Sequence, residues 1–330
     1  MSGAAFRYAR AADPAAAVTL GAAPGAAFLA GGTDLLQLWK AGVQAPAQVV
    51  DISRLPLATV AAEADGLKLG ALARLHDVAA HPDVARDYPL VAEAILASAS
   101  GQVRHMASVG GNLLQRTRCV YFRGGEGLAC NKRAPGSGCG ALEGENRQHA
   151  LFGGSAACVA THASDLAVAL VALDAEVEVL SAAGSRRLPL AELYRQPGEA
   201  PERDTTLAPG ELIAAVQVAD AARFAGRSTY LKVRDRASFE FAVVSVAAAL
   251  VVAGGRIAEA RLAAGGVGTV PWRLDAAEAA LVGQPVGPDA FAAAGAAATE
   301  GAQPLAHNGF KVELLRRAVV RALETVGGQA

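Results

Sequence analysis

The sequence has little of what marks a nucleic-acid-binding protein. Only 5% of its 330 residues are aromatic, and its formal net charge is −1. Proteins that bind nucleic acid need clustered cations for the phosphates, and most need aromatic rings on which single-stranded bases stack. This composition therefore argues against a nucleic-acid partner.

Long hydrophobic runs are also missing. The longest apolar run, Phe241–Ala253, is interrupted by Ser245 and is shorter than the ~20 residues that cross a bilayer. Arg7, Arg10 and Asp13 interrupt the region where a signal peptide has its apolar core. We therefore expect no membrane insertion and no export signal in the chain itself. Its length allows two or three domains.

Cysteine is scarce, and its distribution is uneven. The four cysteines, Cys119, Cys130, Cys139 and Cys158, are separated by ten, eight and eighteen residues. Four cysteines in so long a chain do not make a disulfide scaffold. Because all four fall in one segment rich in Gly, Arg and Lys, we predict that they bind an inorganic centre.

The spacing of the cysteines leaves the kind of centre open. It lacks the closely paired thiols of common zinc sites and the compact run of bacterial ferredoxins. Structural zinc and buried, unligated thiols therefore remain alternatives to an iron–sulfur cluster. Residues 101–150 contain seven Arg or Lys against three Glu. That local excess of positive charge suits an anionic cluster or a surface for a partner subunit.

Two glycine turns stand out, Ala30–Leu35 and Val109–Asn112. Without a Cβ, such turns allow the backbone to approach a pyrophosphate closely. Ordinary tight turns are the alternative, and the first turn lacks the full three-glycine dinucleotide fingerprint. Both turns are therefore candidate phosphate-binding segments.

Strand and helix patterns alternate around these turns, which indicates an α/β arrangement. Thr33 and Asp34 offer an N-cap for a helix after the first turn, and Ser164 or Asp165 offers one for a second helix. The alanine-rich stretch 241–252 reads as a strand or a helix. Further strands are predicted at 26–30, 48–52, 67–71, 176–180, 230–233 and 256–264, and helices at 75–80, 90–98, 165–173, 276–281, 289–298 and 310–326.

The order of several short motifs resembles the FAD-binding (medium) subunits of molybdenum hydroxylases, the xanthine dehydrogenase and aldehyde oxidoreductase family. Phe310 stands where the family's C-terminal Asn-x-Tyr-Lys motif has Tyr. The motifs that carry the resemblance are Leu29–Leu35, Ala107–Leu113, Ser164–Leu166, Tyr230–Arg234 and Asn308–Lys311.

This resemblance implies an α+β fold with a PCMH-type FAD-binding domain and a C-terminal domain. The FAD-binding domain would consist of two α/β subdomains, at residues 1–54 and 55–222. The C-terminal domain, at residues 223–330, would be an antiparallel sheet with helices. An insertion at about 115–160 would hold the cysteines.

The cysteine insertion is similar to one found in part of the family. It occurs in periplasmic-type aldehyde oxidoreductases and, in a related form, in 4-hydroxybenzoyl-CoA reductase, where it carries a [4Fe–4S] cluster. Ala163 stands where that branch often has Pro. The resemblance thus implies that Cys119, Cys130, Cys139 and Cys158 are cluster ligands.

The family's motifs also imply the residues that contact FAD. Ile213 and Lys232 would approach the isoalloxazine, and Asp165 would be a polar ligand beside it. Many relatives place an aromatic ring before the second turn, where this chain has Ser98. The implied FAD-binding residues are Leu29, Ala30, Gly31, Gly32, Thr33, Asp34, Leu35, Ala107, Ser108, Gly110, Gly111, Asn112, Leu114, Ser164, Asp165, Ile213 and Lys232.

The implied function is that of an oxidoreductase subunit which transfers electrons and has no catalytic residue of its own. Electrons would come from a molybdenum-cofactor large subunit and a [2Fe–2S] small subunit, in a heterotrimer or its dimer, and leave to an external acceptor. The compartment would be the cytoplasm, or the periplasm by export with a partner. The alternatives are a scaffold subunit with structural zinc and a stand-alone flavoprotein oxidase.

Overall fold

Three β-sheets follow one another along the chain in this computed structural model. It describes residues 5–63, 66–125, 127–219 and 221–328. The outer ends of the first and last predicted domains, residues 1–4 and 329–330, lie outside the described residues. None of the described helices is both long enough and apolar enough to cross a membrane.

The first sheet is parallel, with its third strand in the centre. Its strands are β1 (Arg7–Arg10), β2 (Ala26–Leu29) and β3 (Gln48–Asp51) in the order β1-β3-β2. Parallel neighbours need crossover connections, which here contain α1 (Pro14–Gly21) and α2 (Leu35–Lys40). The first glycine turn therefore lies at the carboxyl end of β2.

The second sheet is antiparallel and has five strands, in the order β4-β5-β8-β6-β7. The strands are β4 (Val60–Glu63), β5 (Gly66–Gly70), β6 (Glu176–Ser181), β7 (Gly184–Pro189) and β8 (Leu212–Ala219). The helices are α3 (Leu75–Ala80), α4 (Pro82–Asp87), α5 (Pro89–Ala97), α6 (Gly101–Arg104), α7 (Val109–Leu113), α8 (Val120–Arg123), α9 (Asp165–Ala172) and α10 (Leu190–Leu193). Every residue of α9 is buried, so this helix is the centre of the core.

The third sheet is also antiparallel, in the order β12-β11-β10-β9. The alanine-rich stretch, predicted as a strand or a helix, is a strand of this sheet, because it is hydrogen-bonded to a neighbouring strand on each side. The strands are β9 (Ser228–Val233), β10 (Val244–Ala253), β11 (Arg256–Gly265) and β12 (Trp272–Arg273). The helices are α11 (Asp275–Leu281), α12 (Pro288–Ala297) and α13 (Phe310–Gly327), and a 3-10 helix spans Ala222–Arg227.

The predicted fold class is confirmed: two mixed helix-and-sheet regions precede an antiparallel sheet with helices. The second glycine segment, however, was predicted as a tight turn and is the first turn of α7. Ser108 caps this helix, because its Oγ accepts from the N–H of Gly111 at 3.3 Å. The cysteine segment between α7 and α9 is irregular as expected, and α8 is the one helix assigned in its described part.

Candidate functional site

A cavity of about 320 Å³ opens beside the first glycine turn. The turn enters it from the end of β2, and Ile213 of β8 closes the opposite wall. Leu29 does not line this cavity, and its carbonyl accepts from the backbone N–H of Ile52 at 3.0 Å. The predicted residues that line this cavity are Ala30, Gly31, Gly32, Thr33, Asp34, Leu35, Ser108, Gly110, Gly111, Leu114 and Ile213.

Backbone N–H groups of the first turn are available to a ligand. Within the described part of the chain, no hydrogen-bond acceptor in the protein lies against the N–H groups of residues 31–35. Gly32 has φ +71°, a left-handed conformation that favours glycine. Successive free N–H groups in such a turn form a concave site for anions.

The two glycine turns pack directly against each other. A Cβ on Gly31 would lie 1.8 Å from the carbonyl oxygen of Met106, so only glycine fits there. The N–H of Gly110 donates to the carbonyl of Ala71 at 2.8 Å, and that of Val109 donates to Ala73 at 3.0 Å. The second turn therefore supports the first and offers fewer free N–H groups.

A second cavity, of about 270 Å³, adjoins the first and shares Thr33, Asp34 and Gly111 with it. It contains the remaining predicted FAD-binding residues except Leu29 and Ser164. Those residues are Ala107, Asn112, Asp165 and Lys232. Ser98, near the position where the resemblance implies an aromatic ring, is buried here, and Phe239 and Phe241 also line this cavity.

A buried polar network forms the floor of the second cavity. Lys232 Nζ donates to Asp165 Oδ2 at 2.8 Å, and the Tyr230 hydroxyl donates to Asp165 Oδ1 at 2.8 Å. Burial raises the pKa of Asp165, although the Lys232 charge opposes that effect. Burial and the nearby Asp165 charge raise the pKa of Tyr230 as well. Alternation along β9 places Tyr230 and Lys232 on one face, which is the sequence signal that could have identified Tyr230.

Ser164 caps α9, as one of the two predicted candidates. Its Oγ accepts from the N–H of Ala167 at 3.0 Å and lies 2.5 Å from the side-chain oxygen of Asn112. It lines a third cavity, of about 300 Å³, which shares Asp165 with the second. Cys119 lines this third cavity too. The third cavity therefore connects the predicted flavin and cysteine sites.

Asp34 occupies the N-cap position of α2, as predicted, but its side chain makes no hydrogen bond to that helix. Its Oδ2 accepts from the backbone N–H of Arg116 at 2.9 Å. Its Oδ1 accepts from Arg118 at 2.5 Å and from Arg123 at 2.8 Å. Burial favours a higher pKa for Asp34, but these three donors outweigh it and hold the pKa below its usual value.

All four cysteines line one small cavity. Cys130 and Cys139 lie opposite each other in an antiparallel bridge, made by Asn131 N–H to Gly138 O and Gly140 N–H to Ala129 O. Burial raises the pKa of Cys119 to about 12 and also raises that of Cys158. Among the described residues, no group of three or more His, Cys, Asp or Glu is arranged to hold a single metal ion.

The positive charges around the cysteines have partners. Lys132 Nζ contacts Asp204 Oδ1 and also donates to the carbonyl of Pro201 at 2.5 Å, and Arg116 bonds Asp204 Oδ2 at 2.6 Å. Asp204 is therefore a second acidic group, partly exposed, that connects the cysteine segment to another loop. Because it lies in an irregular stretch far along the chain, no sequence pattern identified it.

The C-terminal motif fixes the far end of the cysteine segment. Lys311 is fully buried, and its Nζ donates to the carbonyls of His149 at 2.9 Å and Gly266 at 2.5 Å. Asn308 donates to the same His149 carbonyl at 3.1 Å. His149 Nε2 lies 3.2 Å from Cys119 Sγ. The motif thus holds a histidine against a cysteine, a role that the sequence did not indicate.

Comparison with known proteins shows the family. Residues 4–219 match the family described as "FAD binding domain in molybdopterin dehydrogenase", and residues 229–326 match "CO dehydrogenase flavoprotein C-terminal domain". The chain belongs to the FAD-binding subunits of molybdenum hydroxylases. Its resemblance to this oxidoreductase family is confirmed.

Two curated relatives of this FAD-binding subunit are similar over most of their length. The aldehyde oxidoreductase FAD-binding subunit PaoB of Escherichia coli (strain K12) is 46% identical over 99% of both chains. The glyceraldehyde dehydrogenase medium chain of Sulfolobus acidocaldarius is 28% identical over 79% of this chain and 75% of its own. Reconstituted CO dehydrogenase from Oligotropha carboxidovorans has the same fold, with 21% identity, a TM-score of 0.77 and complete coverage of both chains.

Proposed function

We propose that this subunit carries FAD and a [4Fe–4S] cluster and transfers electrons in a molybdenum-dependent aldehyde oxidoreductase complex. It would take electrons from the molybdenum and [2Fe–2S] subunits and pass them to an external acceptor. The observation that carries the proposal is the third cavity, whose lining includes both Cys119 and Asp165. The similarity to PaoB, an aldehyde oxidoreductase subunit by name, supports the substrate class.

The first two cavities fit a dinucleotide cofactor. The free N–H groups of residues 31–35 would hold the pyrophosphate, and Leu114 and Ile213 would provide apolar walls. Lys232 and Asp165 would hold the polar edge of the ring system in the second cavity. When bound, FAD supplies the conversion between two-electron and one-electron transfer.

The four thiols line one small cavity, so a single centre bound by all four fits their arrangement. Structural zinc would need sulfurs that converge on one point about 2.3 Å away. No group of three or more His, Cys, Asp or Glu among the described residues is arranged in that way, and the resemblance to the cluster-bearing branch is what favours a cluster. Burial raises the pKa of Cys119, and a bound metal centre would favour its thiolate form.

Titration of the flavin-free chain with FAD, followed by flavin fluorescence, tests the flavin site. Gly32 and Gly42 have nearly the same left-handed φ, +71° and +72°, but only Gly32 lines the cavity. We expect Gly32→Ala to weaken FAD binding at least tenfold and Gly42→Ala, the matched control, to bind as the unaltered chain does. Equal loss in both variants, or no binding of FAD, would contradict the proposed site.

Co-purification tests the assembly. The chain produced together with the proposed molybdenum and [2Fe–2S] subunits is expected in a complex that contains molybdenum, flavin and iron. An active, monomeric flavoprotein would support the stand-alone oxidase instead. A chain that contains zinc and no flavin would support the scaffold.

A further inference from the structure

A short segment joins the flavin site to the cysteine site. Helix α7 ends at Leu113, and Cys119 follows after five residues. Cys119 is itself the N-cap of α8, whose last residue is Arg123. Cys119 therefore lies in the middle of this segment, residues 114–123.

The segment is fixed to the first glycine turn by one carboxylate. Asp34 has a side chain that is 14% exposed, and its two oxygens accept from three groups of the segment. Its partners Arg118 and Arg123 are also largely buried, at 23% and 17% exposure. A buried carboxylate that loses its cationic partners is strongly destabilised. The turn and the segment must therefore keep their relative positions.

Arg123 also holds the segment in its folded form. Its Nε donates to the Thr117 carbonyl at 2.9 Å and its Nη2 donates to the Arg116 carbonyl at 3.1 Å. The same Nη2 contacts Asp34 Oδ1 at 2.8 Å. One guanidinium thus binds the segment and the first glycine turn together, and it belongs to α8, whose N-cap is Cys119.

We propose that Asp34 is a positioning residue that couples the two sites. A centre bound at the cysteine site would strengthen FAD binding, and bound FAD would strengthen binding of that centre. This inference rests on the proposed function for the identity of the two occupants. A centre bound to Cys119 immobilises residues 114–123, which in turn hold Asp34 and the free N–H groups beside it. Coupling of this kind is reciprocal and is typically 5- to 150-fold in affinity.

The test measures FAD affinity in the full chain, once after chelation of iron and once after reconstitution with ferrous iron and sulfide. We expect reconstitution to tighten FAD binding at least fivefold in the unaltered chain. In Asp34→Asn, the FAD affinities with and without the reconstituted centre are expected to be nearly equal. The variant should also lose iron to a chelator faster than the unaltered chain. Asp174→Asn, which breaks surface ion pairs with Arg261 and Arg273, is the control. Reconstitution should tighten FAD binding in this variant as much as in the unaltered chain.

Arg123→Gln separates coupling from direct contact between Asp34 and FAD. If Asp34 acts through Arg123, the double variant loses less FAD affinity than the sum of the losses of Asp34→Asn and Arg123→Gln, because both substitutions remove the Asp34–Arg123 ion pair. Additive losses, or an equal loss for Asp34→Asn with and without iron, would overturn the inference and leave the proposed function intact. An unaltered chain that binds neither FAD nor iron would overturn both.

Discussion

Replacing Gly31 by Ala tests how tightly the two glycine turns must pack. The added Cβ would lie 1.8 Å from the Met106 carbonyl oxygen and 2.7 Å from the carbonyl carbon. These are backbone atoms, so no side-chain rotation relieves the overlap. The Cβ and the oxygen would have to separate by about 1.6 Å to reach the 3.4 Å at which ordinary contact begins.

The cost follows from that displacement. Overpacked cores lose about 1–3 kcal/mol when neighbouring side chains can adjust. Here the clash is with the backbone of Met106, two residues before the N-cap of α7, so relief would require the start of that helix to move. We therefore expect Gly31→Ala to lower the free energy of unfolding by at least ~3 kcal/mol. The affinity for FAD should fall together with the stability, because the free N–H groups of the first turn would move away from the second turn.

Urea denaturation of the flavin-free chain measures the change in the free energy of unfolding. Gly101→Ala is the matched control, since Gly101 has open space around its Cβ position and a negative φ. We expect Gly101→Ala to be neutral or slightly stabilising. A loss below ~1 kcal/mol for Gly31→Ala, with FAD affinity unchanged, would show that the turns do not pack as described.

Three further predictions concern the buried polar groups and the cysteines. Burial lowers the pKa of Lys311 to about 7, so between pH 7 and 10.5 the unfolded chain binds more protons than the folded chain. The free energy of unfolding therefore rises with pH in that range, by at most ~1.4 kcal/mol per pH unit. Urea denaturation of Lys311→Met at two pH values should show that this pH dependence is lost. Tyr230→Phe removes one donor to the buried Asp165 and should weaken FAD binding several-fold with little change in secondary structure, measured by fluorescence and circular dichroism. Cys119→Ser should lower bound iron, whereas Val120→Ser, at the exposed neighbouring position, should not.

Local patterns predicted most of the regular structure because local interactions determine it. The last helix was predicted at 310–326 and is found at Phe310–Gly327, since its apolar stripe has a clear 3.6-residue period. The second glycine turn was misassigned because two glycines suggest a turn, whereas Ser108 and the carbonyls of Ala71 and Ala73 stabilise a helix start there. The two carbonyls belong to residues more than thirty positions away in the chain.

The candidate site could be predicted only where a motif carried it. Asp34 was assigned to the cofactor, yet its three partners lie 82 to 89 residues along the chain. Asp204 holds Arg116 from 88 residues away, within an irregular loop that has no periodic signal. Such ion pairs depend on how loops pack in three dimensions, and a single sequence contains no local trace of that packing.

The most direct test of the central claim is the content of iron, acid-labile sulfide and flavin in the anaerobically purified full chain. A subunit that carries both cofactors is expected to contain about four iron atoms and four sulfides for each FAD. Reduced protein should also show the electron paramagnetic resonance of a cluster, and Cys139→Ser should lose it. One zinc ion per chain without sulfide, or no metal at all, would contradict the account.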